Sequence, residues 1–153
     1  MTEHSRGDEV RAALDGWPEF HGDDLVTAVW PYDGPRTPEL TAAAGQALSE
    51  LVRYLNNTTR YPDAPGSPAA VAQLVAAVES AAARWDQLLA QLSAHVTGHL
   101  PEAFTLYDDR GDRSGADTCR EVAGALDQAR VALGPVVAAL AAAARAADHL
   151  GHH

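Results

Sequence analysis

Two Ala-rich stretches, residues 67–99 and 118–150, carry apolar side chains at alternating spacings of four and three, with little charge between them. In the first, Val71, Val75, Val78, Ala82, Trp85, Leu89, Leu92 and Val96 form an unbroken a/d seam. Leu74 and Leu88 widen it, as on a bundle helix with several neighbours. In the second, Val122, Leu126, Ala129, Leu133, Val136, Leu140, Ala143 and Ala147 continue the same alternation. A helix that is apolar nearly all round has to be enclosed. Packing between helices, or between chains, is therefore what most of this sequence encodes.

Local signals set the limits of these helices. Thr37-Pro38 and Ser67-Pro68 each pair a hydroxyl cap with a Pro whose missing amide hydrogen is harmless at a helix start. After Thr37, the residues Leu40, Ala44, Ala47, Leu48, Leu51, Val52 and Leu55 make an apolar stripe. Residues 56–59 should fray that helix, and the Pro/Gly-rich link to Gly66 should end it. A short link also implies an antiparallel pair of neighbouring helices. Gly98 and Pro101 are expected to close the next helix, and Thr118 with Glu121 reads as a capping box opening the last one. Gly134-Pro135 interrupts the last seam without shifting its phase, so one kinked helix is expected.

The fold expected is all-α: a single-domain antiparallel bundle of three long helices over residues 37–153, with room for one short extra helix. Residues 1–36 read as an extended aromatic arm. Val10 and Leu14 fit a short helix ending at Gly16, and Leu25, Val26 and Val29 a short turn or strand. The two aromatic-proline units, Trp17-Pro18-Glu19-Phe20 and Trp30-Pro31-Tyr32, argue against helix around them.

Composition narrows the functional classes. The net charge is −10, and all 11 basic residues are Arg; Lys and Ile are absent, as in GC-rich genomes. Nucleic-acid binding depends on clustered cations, and the balance here opposes it, as it opposes docking on anionic membranes. A single Cys119 rules out an internal disulfide framework and fits a reducing compartment. The polar, acidic first fifteen residues carry no visible secretory signal, and the uncharged run at 131–144 is too short to span a bilayer. A soluble cytoplasmic protein is expected.

Candidate chemistry is sparse. His95 and His99 share a helix face near its end, but a metal site needs further ligands; favourable placement at a helix C-terminus explains them equally. Glu19, His21 and Asp23 alternate in a segment read as extended. They could face a cation together, and acidic loop composition accounts for them as well. Residues 108–117 resemble a calcium loop only superficially, with Arg110 at the third ligand position and Arg113 where Gly is required. Arg110-Gly111-Asp112 reads as a plain turn. Cys119 sits in a first helical turn with Glu121 opposing thiolate formation and no partner base. Neither a phosphate-binding Gly loop nor a nucleophile elbow is present.

The text of residues 51–60, LVRYLNNTTR, and of residues 85–92, WDQLLAQL, resembles small uncharacterised helical proteins of high-GC actinobacteria. The resemblance covers about residues 37 to 97; it implies a helical fold, no known activity and no residue roles.

The reading that follows is non-enzymatic: helix-mediated self-association, or binding of another protein, with no cofactor. Trp17, Phe20, Trp30 and Tyr32 are the candidate partner-binding residues, with capping of the chain's own bundle as the plain alternative. Leu133, Val137 and Leu140 are the candidates for self-association. The rival readings are a small DNA-associated regulator, an enzyme or a ligand- or metal-binding bundle using its interior with His95, His99 or the acidic cluster of the arm, and an acidic mimic of nucleic acid.

Overall fold

The computed structural model describes residues 22–111 and 113–150. All their regular structure is helical: α1 (Gly22–Val29), α2 (Pro38–Thr58), α3 (Pro68–Ala94), a π-turn (His95–His99), α4 (Leu100–Ala103) and α5 (Gly115–Ala147). The chain divides into two compact units, Met1–Arg60 and Tyr61–His153.

In the first unit, Thr37 caps α2 as expected: its hydroxyl accepts the Leu40 amide hydrogen, and Pro38 follows as the first helical residue. Residues 22–29 differ from the expected strand or turn. They form α1, because no Pro interrupts them and Asp23 and Asp24 in the first turn face the positive end of the helix dipole. Trp30 leaves α1 and donates its indole N–H to the Leu40 carbonyl at 3.1 Å, tying the segment to the start of α2.

In the second unit, Ser67 caps α3 through the Ala70 amide. The helix does not stop at Gly98. One wider π-turn, in which the Leu100 amide bonds the His95 carbonyl, carries it on to Ala103. The physical reason is Pro101. In an α-turn its ring would meet the carbonyl four residues back, and a π-turn relieves that contact. Phe104 is extended and ends the run.

α5 is one helix of 33 residues through Pro135. It begins four residues earlier than expected, since Ser114 and Asp117 form the capping box in place of Thr118 and Glu121. Gly115 makes this start possible. A Cβ there would lie 2.5–2.7 Å from the backbone and Cβ of Leu106, which folds back on the first turn. An isolated antiparallel bridge between Tyr107 and Ser114 holds the same closure. Gly115→Ala is therefore expected to destabilise this unit by about 1–3 kcal/mol. Helix propensity alone would favour Ala by about 1 kcal/mol. Chemical denaturation distinguishes them, and a stabilised variant would show that Leu106 yields freely.

α3 and α5 pack along their length as an antiparallel pair, with the π-turn against α5. On α5 the less exposed positions are Cys119, Ala123, Leu126, Arg130, Leu133, Val137, Leu140, Ala144 and Ala147, again spaced by four and three. Four of these, Leu126, Leu133, Leu140 and Ala147, are expected seam residues. Four others shift by one position, so that Ala123, Arg130, Val137 and Ala144 turn inward, whereas Val122, Ala129, Val136 and Ala143 stay exposed. On α3 and the π-turn that continues it, Val75, Ala82, Leu89 and Val96 face inward, and Val78, Trp85 and Leu92 do not. In this rotation Arg130 reaches Asp86 across the pair, with Nε to Oδ1 at 3.1 Å. Among the described residues no large side chain is fully buried; the buried apolar residues are Cys119, Ala123 and Ala147.

Candidate interaction surface

With 3.6 residues per turn, the exposed apolar residues of α3 fall on one flank. Val78, Trp85, Leu88 and Leu92 are 41–44% exposed and, with Leu74 and Ala81, repeat at spacings of four and three. On α5 the exposed Val122 and Val136 lie in a band with Ala125, Ala129, Ala132, Ala139 and Ala143. In an antiparallel pair, positions displaced in the same rotational sense from the contact line lie on the same side. By that rule both bands share one face of the hairpin. The Asp86–Arg130 pair, extended by Asp127 at 3.5 Å from Arg130, is displaced the other way and marks the polar side, with Gln87 and Arg145. Asp86 beside Arg130 holds the guanidinium in its charged form, raising its pKa.

Next to the end of this face, the 104–114 loop is pinned by Asp108. Its side chain is 1% exposed. Four donors reach the carboxylate: the Arg110 amide at 2.9 Å, Arg110 Nε shared between the two oxygens at 3.0 and 3.2 Å, Arg110 Nη2 at 2.6 Å and the Thr118 hydroxyl. Four donors match the lone-pair capacity of a carboxylate, so none is left for a substrate or a cation. The Arg110 side chain first, then the Thr118 hydroxyl, holds the Asp108 pKa far below the usual carboxylate range, and Asp108 raises that of Arg110 in turn. Glu121 pairs with Arg113 at 2.7 Å and reaches Arg110 at 3.6 Å. The cluster is a loop clamp. It also explains the shifted start of α5, because Asp108 takes the Thr118 hydroxyl that would otherwise cap.

Since the folded-state pKa of Asp108 is depressed, its stabilisation is complete above the ordinary carboxylate range near about 4 and is lost as pH falls towards the folded value. Asp117, whose pKa is lowered chiefly by the Ser114 hydroxyl, acts in the same direction. Asp108→Asn is expected to melt below the wild type at pH 7, with the gap closing on acidification. A gap constant from pH 7 to 2 would show that the charge of Asp108 is not what holds the loop.

The other candidates scatter. His95 and His99 are in ring contact, with centroids 4.7 Å apart and planes tilted by 39°, and both are exposed. Among the described residues no third His, Cys, Asp or Glu completes a metal-sized cluster. Cys119 is a buried free thiol on the α3–α5 seam. Leu133, Val137 and Leu140 lie half-buried on that same seam, so they pack against their own chain, and the free apolar surface is the band beside them. Tyr32 is 91% exposed and Trp30 half-buried. Trp17, Phe20, Glu19 and His21, with the short helix expected at Val10 and Leu14, lie outside the described residues; Asp23 is exposed in α1. An open groove along α2 is lined by Glu50, Arg53, Tyr54, Asn56, Asn57 and Arg60, all from one helix and its end. The exposed stripe of α3 was legible as spacing, but its separation from the intramolecular seam was not.

α5 is also long and apolar enough to cross a membrane by length and composition, and none of its most apolar window is buried. No family model, curated protein or solved structure matches the chain.

Proposed function

We propose that this is a non-enzymatic helical-bundle protein that works by associating, through helix surfaces, with itself or with a protein partner. One observation carries this reading: the large exposed apolar side chains of α3, with two of the three on α5, gather on one uncharged face of the hairpin. Contiguous apolar surface of this kind marks interaction sites. The three-long-helix antiparallel bundle expected from the sequence is part of this proposal. Trp17, Phe20, Trp30 and Tyr32 are the candidate residues for contacts with a partner. A cytoplasmic setting suits an acidic chain with one buried thiol.

Catalysis finds little support. The most strongly perturbed carboxylate, Asp108, is saturated by its own chain. A DNA-associated role is also disfavoured, because Arg53, Arg110, Arg113, Arg120 and Arg130 are each paired with a carboxylate. No binding to mixed-sequence duplex is expected at physiological salt, and nanomolar saturable binding by fluorescence anisotropy would reverse that ranking.

The test of the main reading is retention of the tagged full chain from its native host, analysed by mass spectrometry, beside the solution mass of the purified protein. A stoichiometric partner or a stable oligomer supports it. A strict monomer with nothing retained refutes it.

A further inference from the structure

The apolar face carries two different bands, and their difference says what fits it. The α3 band is built of large residues, Leu74, Val78, Trp85, Leu88 and Leu92, whereas the α5 band is mostly alanine at 125, 129, 132, 139 and 143. A single helix laid on this face would meet bulk on one side and shallow alanine on the other. A second copy of the hairpin offers both surfaces at once. We propose that this face is a homodimer interface, in which two α3–α5 hairpins pack into an antiparallel four-helix bundle with the large band of each on the alanine band of the other. The inference rests on the association reading above and names its partner and its surface.

Symmetry sharpens the arrangement. Two kinds of two-fold axis bring such faces together. An axis perpendicular to the helices and lying along the interface sets α3 on α3 and α5 on α5, so large meets large and alanine meets alanine, leaving overpacking beside voids. An axis parallel to the helices sets each α3 on the partner's α5, and large side chains enter the shallow alanine rows twice over. Interiors are packed without sizeable voids, which selects the second. Both axes make every adjacent pair of helices antiparallel, as in up-down bundles, so the fit of large residues to alanine is what decides between them.

Electrostatics agrees. Two chains of net charge −10 repel, and they approach best through surface that carries none. The two bands contain no ionisable residue, and the ion pairs of Arg130 with Asp86 and Asp127 lie on the opposite side of the hairpin. Tyr107, 83% exposed, lies in a depression with Val122 and Ala125 that Asp109, Arg110 and Glu121 also line, so the uncharged surface ends there. The same contact explains how a hairpin with no fully buried large side chain among the described residues gains a core. A two-helix layer cannot enclose Trp85 and Leu88, and a four-helix one can.

Sedimentation equilibrium of the full chain at micromolar concentration tests this. The expected mass is twice the 16.1 kDa of one chain. Leu88→Glu on the large band and Ala132→Glu on the alanine band should each weaken the dimer at least ten-fold, with helix content retained by circular dichroism. Gln87→Glu, on the polar side, should leave it intact. If either Glu variant loses helix, Ala132→Leu decides. It adds only bulk at an exposed position, and must weaken the dimer ten-fold if a partner's large side chains sit there. A monomeric wild type overturns the inference while leaving the protein-partner half of the association reading to the retention experiment. A dimer indifferent to both bands overturns the surface and leaves self-association standing. Flotation of the wild type with phosphatidylcholine vesicles would also overturn it, because the face would then belong to lipid.

Discussion

Pro135→Ala is expected to raise the stability of the α3–α5 unit by about 2 kcal/mol. Proline within a helix forfeits the hydrogen bond to the carbonyl four residues back and sets its ring against that carbonyl, at about 3 kcal/mol or more. Here the affected carbonyl belongs to Val131, whose residue is 80% exposed, and Pro135 is itself exposed. Water therefore satisfies part of what the proline removes, and the helix tolerates it without interruption. Replacing it also frees the unfolded chain, which offsets roughly 0.4–1 kcal/mol of the gain. Urea denaturation followed by far-ultraviolet circular dichroism measures the balance. A loss of stability would mean that Pro135 itself is needed to keep Leu133 and Val137 against α3.

What could be read from the sequence divides along physical lines. Helix starts were legible where one short-range pattern is decisive, as at Thr37-Pro38 and Ser67-Pro68, because capping involves only neighbouring residues. The start of α5 was not, since Ser114-Asp117 and Thr118-Glu121 both satisfy the capping pattern. Only the fold places Asp108 against Thr118 and Leu106 against Gly115 and so decides between them. The flanking prolines mask the local signal of α1. Its signal was present in Asp23 and Asp24 followed by Leu25, Val26 and Val29.

The interaction surface was half legible, for a different reason. Periodicity reveals that a helix has an apolar band, but an Ala-rich helix is apolar on several adjacent columns at once. On α5, the column with Val122, Ala129 and Val136 is more apolar than the column with Ala123, Arg130 and Val137. Hydropathy thus selects the first as the seam. The structure selects the second, since Arg130 can lay its aliphatic stem along the contact and send its charge to Asp86. The partner that accepts this charge lies 44 residues away along the chain, and no local pattern contains it.

That rotation has a measurable consequence. Leu89→Ala is expected to destabilise the hairpin by about 2 kcal/mol, near the low end for truncating a core leucine, because Leu89 is half-buried rather than fully enclosed. Trp85→Ala removes a larger side chain, and in a seam that held both residues equally it would cost more, about 3–5 kcal/mol. Trp85 is instead 42% exposed, on the flank of α3 rather than on its contact with α5. Under dilute conditions, where chains are separate, Trp85→Ala should therefore be the milder of the two. Gln87→Ala, on the polar side, should stay within about 0.5 kcal/mol of the wild type. Raising the protein concentration should then change the order, because any contact that covers Trp85 between chains is lost in its variant and kept in that of Leu89. Denaturation of the three variants at low and high micromolar concentration reads both orders. A tryptophan effect that exceeds the leucine effect even at high dilution would mean that Trp85 is already enclosed by its own chain, with the α3 seam centred where the heptad spacing alone would put it.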